Sequence, residues 1–305
     1  VVQDMIKGTS SLTDDFNGGL LYLIPKKGLG TIEDTRPIVV SNTDNRILAT
    51  IFNRLIILSL EGIIDPDQKG FLPDRLMKDH ILFFNETFYK AQEEGKSYDL
   101  LLYDFEKAFD SCSHETIFKL LLKVGIPPPY VSAIALFFTD AYATTTFAGA
   151  VPARINFSRG IKQGCPLSPL LFVLLMDVLM YHLKSIPGLD VKMFADDTGS
   201  GADHLSFTSI TKLKNVFQSF EDATGLALNP SKTHFLTTRP PGEHKRIRAR
   251  LRGVGWDSVC ITDSTPYLGL AIGGGADFGD STYPRLLKFE DRIARYSPLC
   301  SSLSA

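Results

Sequence analysis

Two adjacent carboxylates, Asp196 and Asp197, sit between the strand-like runs 191–194 and 198–200. The pattern reads as a tight hairpin with the acidic pair at or near its turn. Like charges this close raise each other's pKa, and burial adds to the cost. A bound divalent cation removes the conflict, and Mg2+ takes hard oxygen ligands, usually one or two carboxylates together with substrate phosphates. Asp104 is a further candidate, because Leu101-Leu102-Tyr103 is apolar up to that residue and places the carboxylate at a strand exit. If that strand lies beside the hairpin in one sheet, Asp104, Asp196 and Asp197 converge. Such a set can hold two cations for in-line displacement at a phosphate. Asp-Asp is also an ordinary turn sequence, so the carboxylates alone leave open a plain turn and do not fix the kind of phosphate chemistry.

The chain has 305 residues, enough for one large or two modest domains. With 44% hydrophobic and 22% charged residues it lies in the globular range, which excludes wholesale disorder. Its net charge of -2 is low for a nucleic-acid-binding chain, since phosphate contacts dominate such affinity; it counts mildly against nucleic-acid binding unless basic surface is local or part of the protein is missing. Cys112, Cys165, Cys260 and Cys300 form no CxxC and the histidines no HxxxH, which argues against a zinc site or a disulfide framework and fits a reducing, intracellular location. The start shows no signal pattern, and the most apolar stretch, 170–176, is too short to span a bilayer before Asp177 stops it. No membrane partner is expected. The chain begins Val-Val without a Met and is expected to be part of something longer.

Helical and strand-like segments alternate, with no repeat or low-complexity linker between them. Strands are expected at 20–24, closed by Pro25 and Lys26-Lys27-Gly28, and at 36–40, 98–104, 144–147, 153–157 and 233–237, besides the hairpin. Helices are expected at 42–60 behind Ser41 or Asn42, at 78–94 before Gly95, and at 113–124 up to Gly125. Another follows Pro127-Pro128-Pro129, and three more are expected at 166–183 with Pro169 near its start, at 205–224 before Gly225, and at 283–296.

Asp104-Phe105-Glu106-Lys107-Ala108-Phe109-Asp110 resembles the first catalytic motif of reverse transcriptases. Ser158-Arg159-Gly160-Ile161-Lys162-Gln163-Gly164-Cys165-Pro166-Leu167-Ser168-Pro169-Leu170-Leu171-Phe172 closely resembles their second palm motif, and Phe194-Ala195-Asp196-Asp197 is similar to their metal-binding box. Leu23-Ile24-Pro25-Lys26-Lys27 with Arg36-Pro37-Ile38 is similar to the fingers hairpin, and Gln68-Lys69-Gly70-Phe71 to a further fingers motif. Gly225-Leu226-Ala227-Leu228-Asn229-Pro230-Ser231-Lys232-Thr233 resembles the next palm motif, and Tyr267-Leu268-Gly269 the primer-grip region. The motifs stand in the family's order over roughly residues 20–295, in the style of LINE-type non-LTR retrotransposons, with group II intron reverse transcriptases next nearest.

The resemblance implies an α+β right-hand polymerase, with fingers at about 1–95 and a palm at about 96–275 that carries an inserted fingers segment. The palm would be an antiparallel sheet packed on helices, with the thumb mostly missing and residues 276–305 starting a thumb or connection. It implies an RNA-directed DNA polymerase that transfers dNMP to a primer 3′-OH, with RNA template, DNA primer and dNTP as partners. Asp104, Asp196 and Asp197 would be the catalytic ligands of two Mg2+ ions, for which Mn2+ can substitute. Lys26 and Arg36 would meet the triphosphate, where Arg offers a planar bidentate contact. Phe109 would lie against the nucleotide sugar and clash with a 2′-OH, and Gln163-Gly164 would sit by the templating pair. Lys232 would act on the pyrophosphate as a general acid. Arg159, Gly160, Tyr267 and Leu268 would contact primer and template.

Ordinary roles compete with several of these: a core ring for Phe109, a solvated face for Lys26 and Arg36, a core strand for Tyr267 and Leu268. Asp110 and Glu106 read as structural. The basic run 245–252 reads as a solvated amphipathic helix or a track for a nucleic-acid backbone. Three other readings remain: an RNA-dependent RNA polymerase, a non-catalytic palm kept for binding, and a degenerate fragment. Thumb and endonuclease domains would belong to the full-length protein, and a nuclear site of action is what the resemblance implies.

Overall fold

The computed structural model describes residues 1–26, 31, 34–60, 62–145 and 153–274. In chain order its main elements begin with α1 (Val2–Lys7), β1 (Gly19–Pro25), β2 (Thr35–Ser41), α2 (Thr43–Leu60), α3 (Lys78–Glu93) and β3 (Asp99–Tyr103). There follow α4 (Ala108–Ser111), α5 (His114–Lys123), α6 (Pro128–Ala135), β4 (Tyr142–Thr145), β5 (Ala153–Asn156) and α7 (Ser168–Lys184). The rest are β6 (Asp190–Phe194), β7 (Asp197–Ala202), α8 (Phe207–Thr224), β8 (His234–Thr237), α9 (His244–Gly253), β9 (Cys260–Thr262), β10 (Ser264–Tyr267) and β11 (Leu270–Gly273). The expected helix at 283–296, the segment 276–305, Lys27-Gly28 of the first turn and the end of the expected 144–147 strand lie outside the described residues.

The chain divides into two compact units that interleave in sequence. One comprises Val1–Asp74, Phe105–Ser185 and Leu213–Leu228; the other comprises Arg75–Asp104, Ile186–Lys212 and Asn229–Ala305.

In the first unit the sheet order is β2-β1-β4-β5, with β1 antiparallel to β2 and parallel to β4. Helix α2 buries Leu48, Phe52, Ile56 and Leu60 on one face, the 3.6-residue period expected of an amphipathic helix. Phe137 packs against Phe16 at 5.6 Å and Phe52 at 5.7 Å. Every residue of α7 from Leu170 to Met176 is buried, which accounts for its apolar run. Among the described residues no helix is long and apolar enough to cross a membrane.

In the second unit the sheet order is β6-β7-β3-β8-β9. Its first four strands are antiparallel, as expected, and β9 adds a parallel edge to β8. Every residue of β3 is buried, because the strand is central and covered on both faces. On one face Leu100 and Leu102 pack with Ile81, Phe84 and Phe88 of α3, and with Tyr267 and Ile272. On the other, Tyr103 shares a hydrogen bond of 2.6 Å with Ser200 and lies edge-on to buried Trp256. Asp99 is fully buried; its carboxylate accepts from the Leu205 N–H, the Thr237 hydroxyl and Arg239, tying β3 to β8 and to the segments that follow β7 and β8. Burial still pushes its pKa upward against these contacts. The basic helix α9 buries Ile247 and Leu251, while Lys245, Arg246, Arg248 and Arg252 remain exposed.

Strand β7 carries small residues for a local reason. A Cβ at Gly199 would lie 2.7 Å from the Phe84 ring, and one at Gly201 would lie 2.1 Å from the Tyr98 hydroxyl. Gly199→Ala is therefore expected to destabilise the chain by about 1–3 kcal/mol through overpacking, seen as a lower urea midpoint at unchanged slope. Gly242→Ala, where a Cβ meets open space, should leave the midpoint in place.

Candidate active site

The hairpin forms where the sequence places it. Phe194 pairs with Asp197, so Ala195 and Asp196 make a two-residue turn between β6 and β7. Ala195 holds φ at 56°, a left-handed conformation that residues other than Gly seldom adopt. Beside the hairpin, Tyr103 of β3 pairs with Thr198 of β7. One further antiparallel step brings Asp104 level with Asp197. The Asp104 carbonyl accepts the Asn229 N–H at 2.8 Å, which fixes the backbone beyond the strand end. Partial burial of its carboxyl, then the charges of Asp196 and Asp104, push Asp197 up to about 6, although the residue as a whole is exposed. The three expected carboxylates are thus gathered at one end of one sheet.

Lys232 joins them: its ammonium lies 4.0 Å from the Asp104 carboxylate, and both side chains are open to solvent. Tyr267 is buried, and its hydroxyl donates to the Asp197 carbonyl at a long 3.5 Å. Burial and the Asp197 charge raise its pKa. The neighbouring Leu268 turns with φ 48° between β10 and β11. The core role anticipated as an alternative for Tyr267 is real, and it coexists with a contact to the acidic hairpin.

The remaining candidates lie in the first unit. Gly160 has φ 81°, and a Cβ there would lie 2.6 Å from the Asp110 carbonyl; Gly164 has φ 112° and a Cβ would lie 2.6 Å from the Val39 carbonyl. Glycine is needed at both positions for conformation and for closeness of approach. The loop between them is bonded on two sides: the Ile161 N–H donates to the Phe109 carbonyl at 2.7 Å, and the Val39 N–H donates to the Gln163 carbonyl at 2.8 Å. Phe109 is half-buried and stacks on Phe172 of α7 with ring centres 4.6 Å apart. Arg36 on β2, Lys26 just after β1, and Arg159 are exposed and available to a ligand.

Asp110, read from sequence as structural, is the joint of this group. Burial of its carboxyl raises its pKa, and a hydrogen bond from Gln163 and the charges of Lys107 and Lys26 pull it back. That link was invisible in sequence because its members are far apart in the chain. Lys162, in the same loop, is buried with no partner for its ammonium among the described residues, and burial lowers its pKa. Nothing in the sequence signals that environment.

The model of the family described as "Reverse transcriptase (RNA-dependent DNA polymerase)" matches residues 24–272. The chain belongs to that family. It is 31% identical over 266 residues to the Transposon TX1 uncharacterized 149 kDa protein of Xenopus laevis, covering 83% of this chain and 20% of that protein. It is 29% identical over 261 residues to the Retrovirus-related Pol polyprotein from type-1 retrotransposable element R2 of Popillia japonica, covering 81% of this chain and 34% of that protein. This reverse transcriptase domain therefore spans only 20% and 34% of the length of these relatives. The solved structure of apo telomerase from Candida tropicalis, truncated from its C-terminal domain, shares the fold at TM-score 0.60 and 13% identity, over 87% of this chain and 55% of that one.

The carboxylates of the reverse transcriptase domain fit a hard divalent cation. They offer only oxygen donors, and their mutual repulsion is the charge a cation would neutralise. Among the described residues no three acidic, His or Cys side chains close into a ready-made cage. In the metal-free protein Asp197 should take up a proton as pH falls through about 6. Because its folded pKa is raised, Asp197 disfavours the fold above that pH, and the penalty lifts as pH falls toward the ordinary carboxylate range. A carboxyl-carbon NMR titration should show one Asp midpoint near 6, displaced downward by Asp196→Asn, which removes a like charge. A midpoint unaffected by that substitution would contradict the coupling.

Proposed function

We propose that this chain is the polymerase centre of a longer retrotransposon protein, copying RNA into DNA by attack of a primer 3′-OH on the α-phosphate of a dNTP, with pyrophosphate leaving. The observation that carries the reading is the convergence of Asp104 with Asp196 and Asp197 on neighbouring strands. Two Mg2+ ions, when bound there, would supply charge to activate the attacking oxygen and stabilise the leaving one. The three carboxylates hold that charge in place, and catalysis then consists of positioning and electrostatics.

The other residues divide the substrate among them. Arg36 and Lys26 bind the triphosphate, Phe109 meets the sugar, and Gln163 with Gly164 lies by the templating base pair. Lys232, close to Asp104, serves the pyrophosphate. Tyr267 and Leu268 support the primer end, and Arg159 with Gly160 the template strand. The five-stranded sheet corresponds to the palm and the four-stranded sheet to the fingers, with a thumb and an endonuclease supplied by the full-length protein. A nuclear place of action follows from the same reading.

Primer extension with dTTP on poly(A), in Mg2+ or Mn2+, tests the proposal. Asp196→Asn should lower the rate by at least about 100-fold, the scale of removing one preorganised electrostatic contact; equal extension by parent and variant would refute it. Phe109→Val should raise the rNTP-to-dNTP ratio of kcat/KM about tenfold or more, since only a small pocket contact is removed. An unchanged ratio would remove Phe109 from the sugar site.

A further inference from the structure

Phe71 is an unusual residue in this fold. It is 50% exposed, so it contributes little to the core, and its backbone holds φ at 55°. An exposed aromatic residue in a left-handed conformation points to a use other than packing. Its ring meets one other aromatic among the described residues, Phe109, edge-on at 6.3 Å and 88°. Phe109 is meanwhile stacked on Phe172, which is fully buried in α7, at 16° between planes. The Phe109 ring is thus bounded by a flat buried ring and by the Phe71 ring set nearly perpendicular to it, a geometry favoured for aromatic pairs. Its main chain is also fixed, through the Ile161 N–H on the Phe109 carbonyl.

The segment that carries Phe71 is itself tied down. Lys184, near the end of α7, binds Asp65 at 2.7 Å and Asp67 at 2.8 Å. The Asp177 carboxylate, also on α7, accepts the Asp65 N–H at 2.9 Å. Gln68 is fully buried, and its side-chain oxygen accepts the Gly70 N–H at 3.0 Å immediately before Phe71. Helix α7 therefore supplies both the ring under Phe109 and the anchor of the loop that brings Phe71 to it. We infer that Phe71 is a positioning residue for sugar selection: its perpendicular ring holds Phe109 in the one orientation that excludes a 2′-hydroxyl. The inference rests on the reading of Phe109 as the residue that meets the sugar.

A double-mutant cycle on the full chain separates the possibilities. The rNTP-to-dNTP ratio of kcat/KM is measured for the parent, Phe71→Gly, Phe109→Val and the double variant. Glycine accepts the left-handed backbone, so Phe71→Gly should keep the parent's thermal midpoint while raising the ratio about fivefold or more. It should add nothing in the Phe109→Val background, and Phe71→Tyr, which restores a ring, should return the parent ratio. If Phe109→Val shifts the ratio but Phe71→Gly does not, or if the two effects multiply, the inference falls and the reading of Phe109 stands. If Phe109→Val leaves the ratio unchanged, the reading falls and the inference with it. A readout free of turnover is the NMR flip rate of the labelled Phe109 ring, which should rise in Phe71→Gly; an unchanged rate overturns the positioning role.

Discussion

Repulsion between Asp104, Asp196 and Asp197 is the constraint around which the second unit is built. Three carboxylates at one sheet end would drift apart if their strands could slip. They cannot, because β3 is buried on both faces and a one-residue change of register would turn Leu100 and Leu102 away from α3. Apolar packing thus holds an electrostatic arrangement that is unfavourable in isolation. The hydrophobic contacts are spread over many residues, and the repulsion is confined to a few atoms, so the fold tolerates the site. Burial first, and the charges of Asp196 and Asp104 after it, raise the pKa of Asp197.

Glycines do related work in both units. In β7, Gly199 and Gly201 leave room for Phe84 and Tyr98, letting the helix α3 lie close on the strand that presents Asp197. In the 158–165 loop, Gly160 and Gly164 allow main chain to meet main chain at Asp110 and Val39. The first pair serves close packing and the second serves conformation as well, since only Gly160 and Gly164 have positive φ. Loops held this way carry ligand-binding groups without the entropy cost of ordering them at each binding event.

Membership of the reverse transcriptase family, and a fold shared with a telomerase at low identity, fit a division of labour between scaffold and site. The scaffold needs a sheet covered on both faces and an apolar helix such as α7. The site needs a few polar groups at strand ends and in loops.

Much of this was legible in the sequence. The runs around Asp104 and the Asp196-Asp197 turn, the α2, α3, α7 and α8 periodicities, and Gly160 and Gly164 were all readable within short windows, because side-chain alternation and turn chemistry are local properties. The short strand β9 with its parallel pairing, the Asp99–Arg239 contact, the Asp110 junction with Gln163, and the Phe71–Phe109 ring contact were not readable. Each joins residues distant in the chain, and which distant residues meet is set by how buried faces pack. The sequence by itself determined most of the longer elements and the chemistry of the acidic residues. Tertiary structure alone decided that Asp104 stands beside the hairpin, because strand order depends on covering both faces of β3 and not on any local preference.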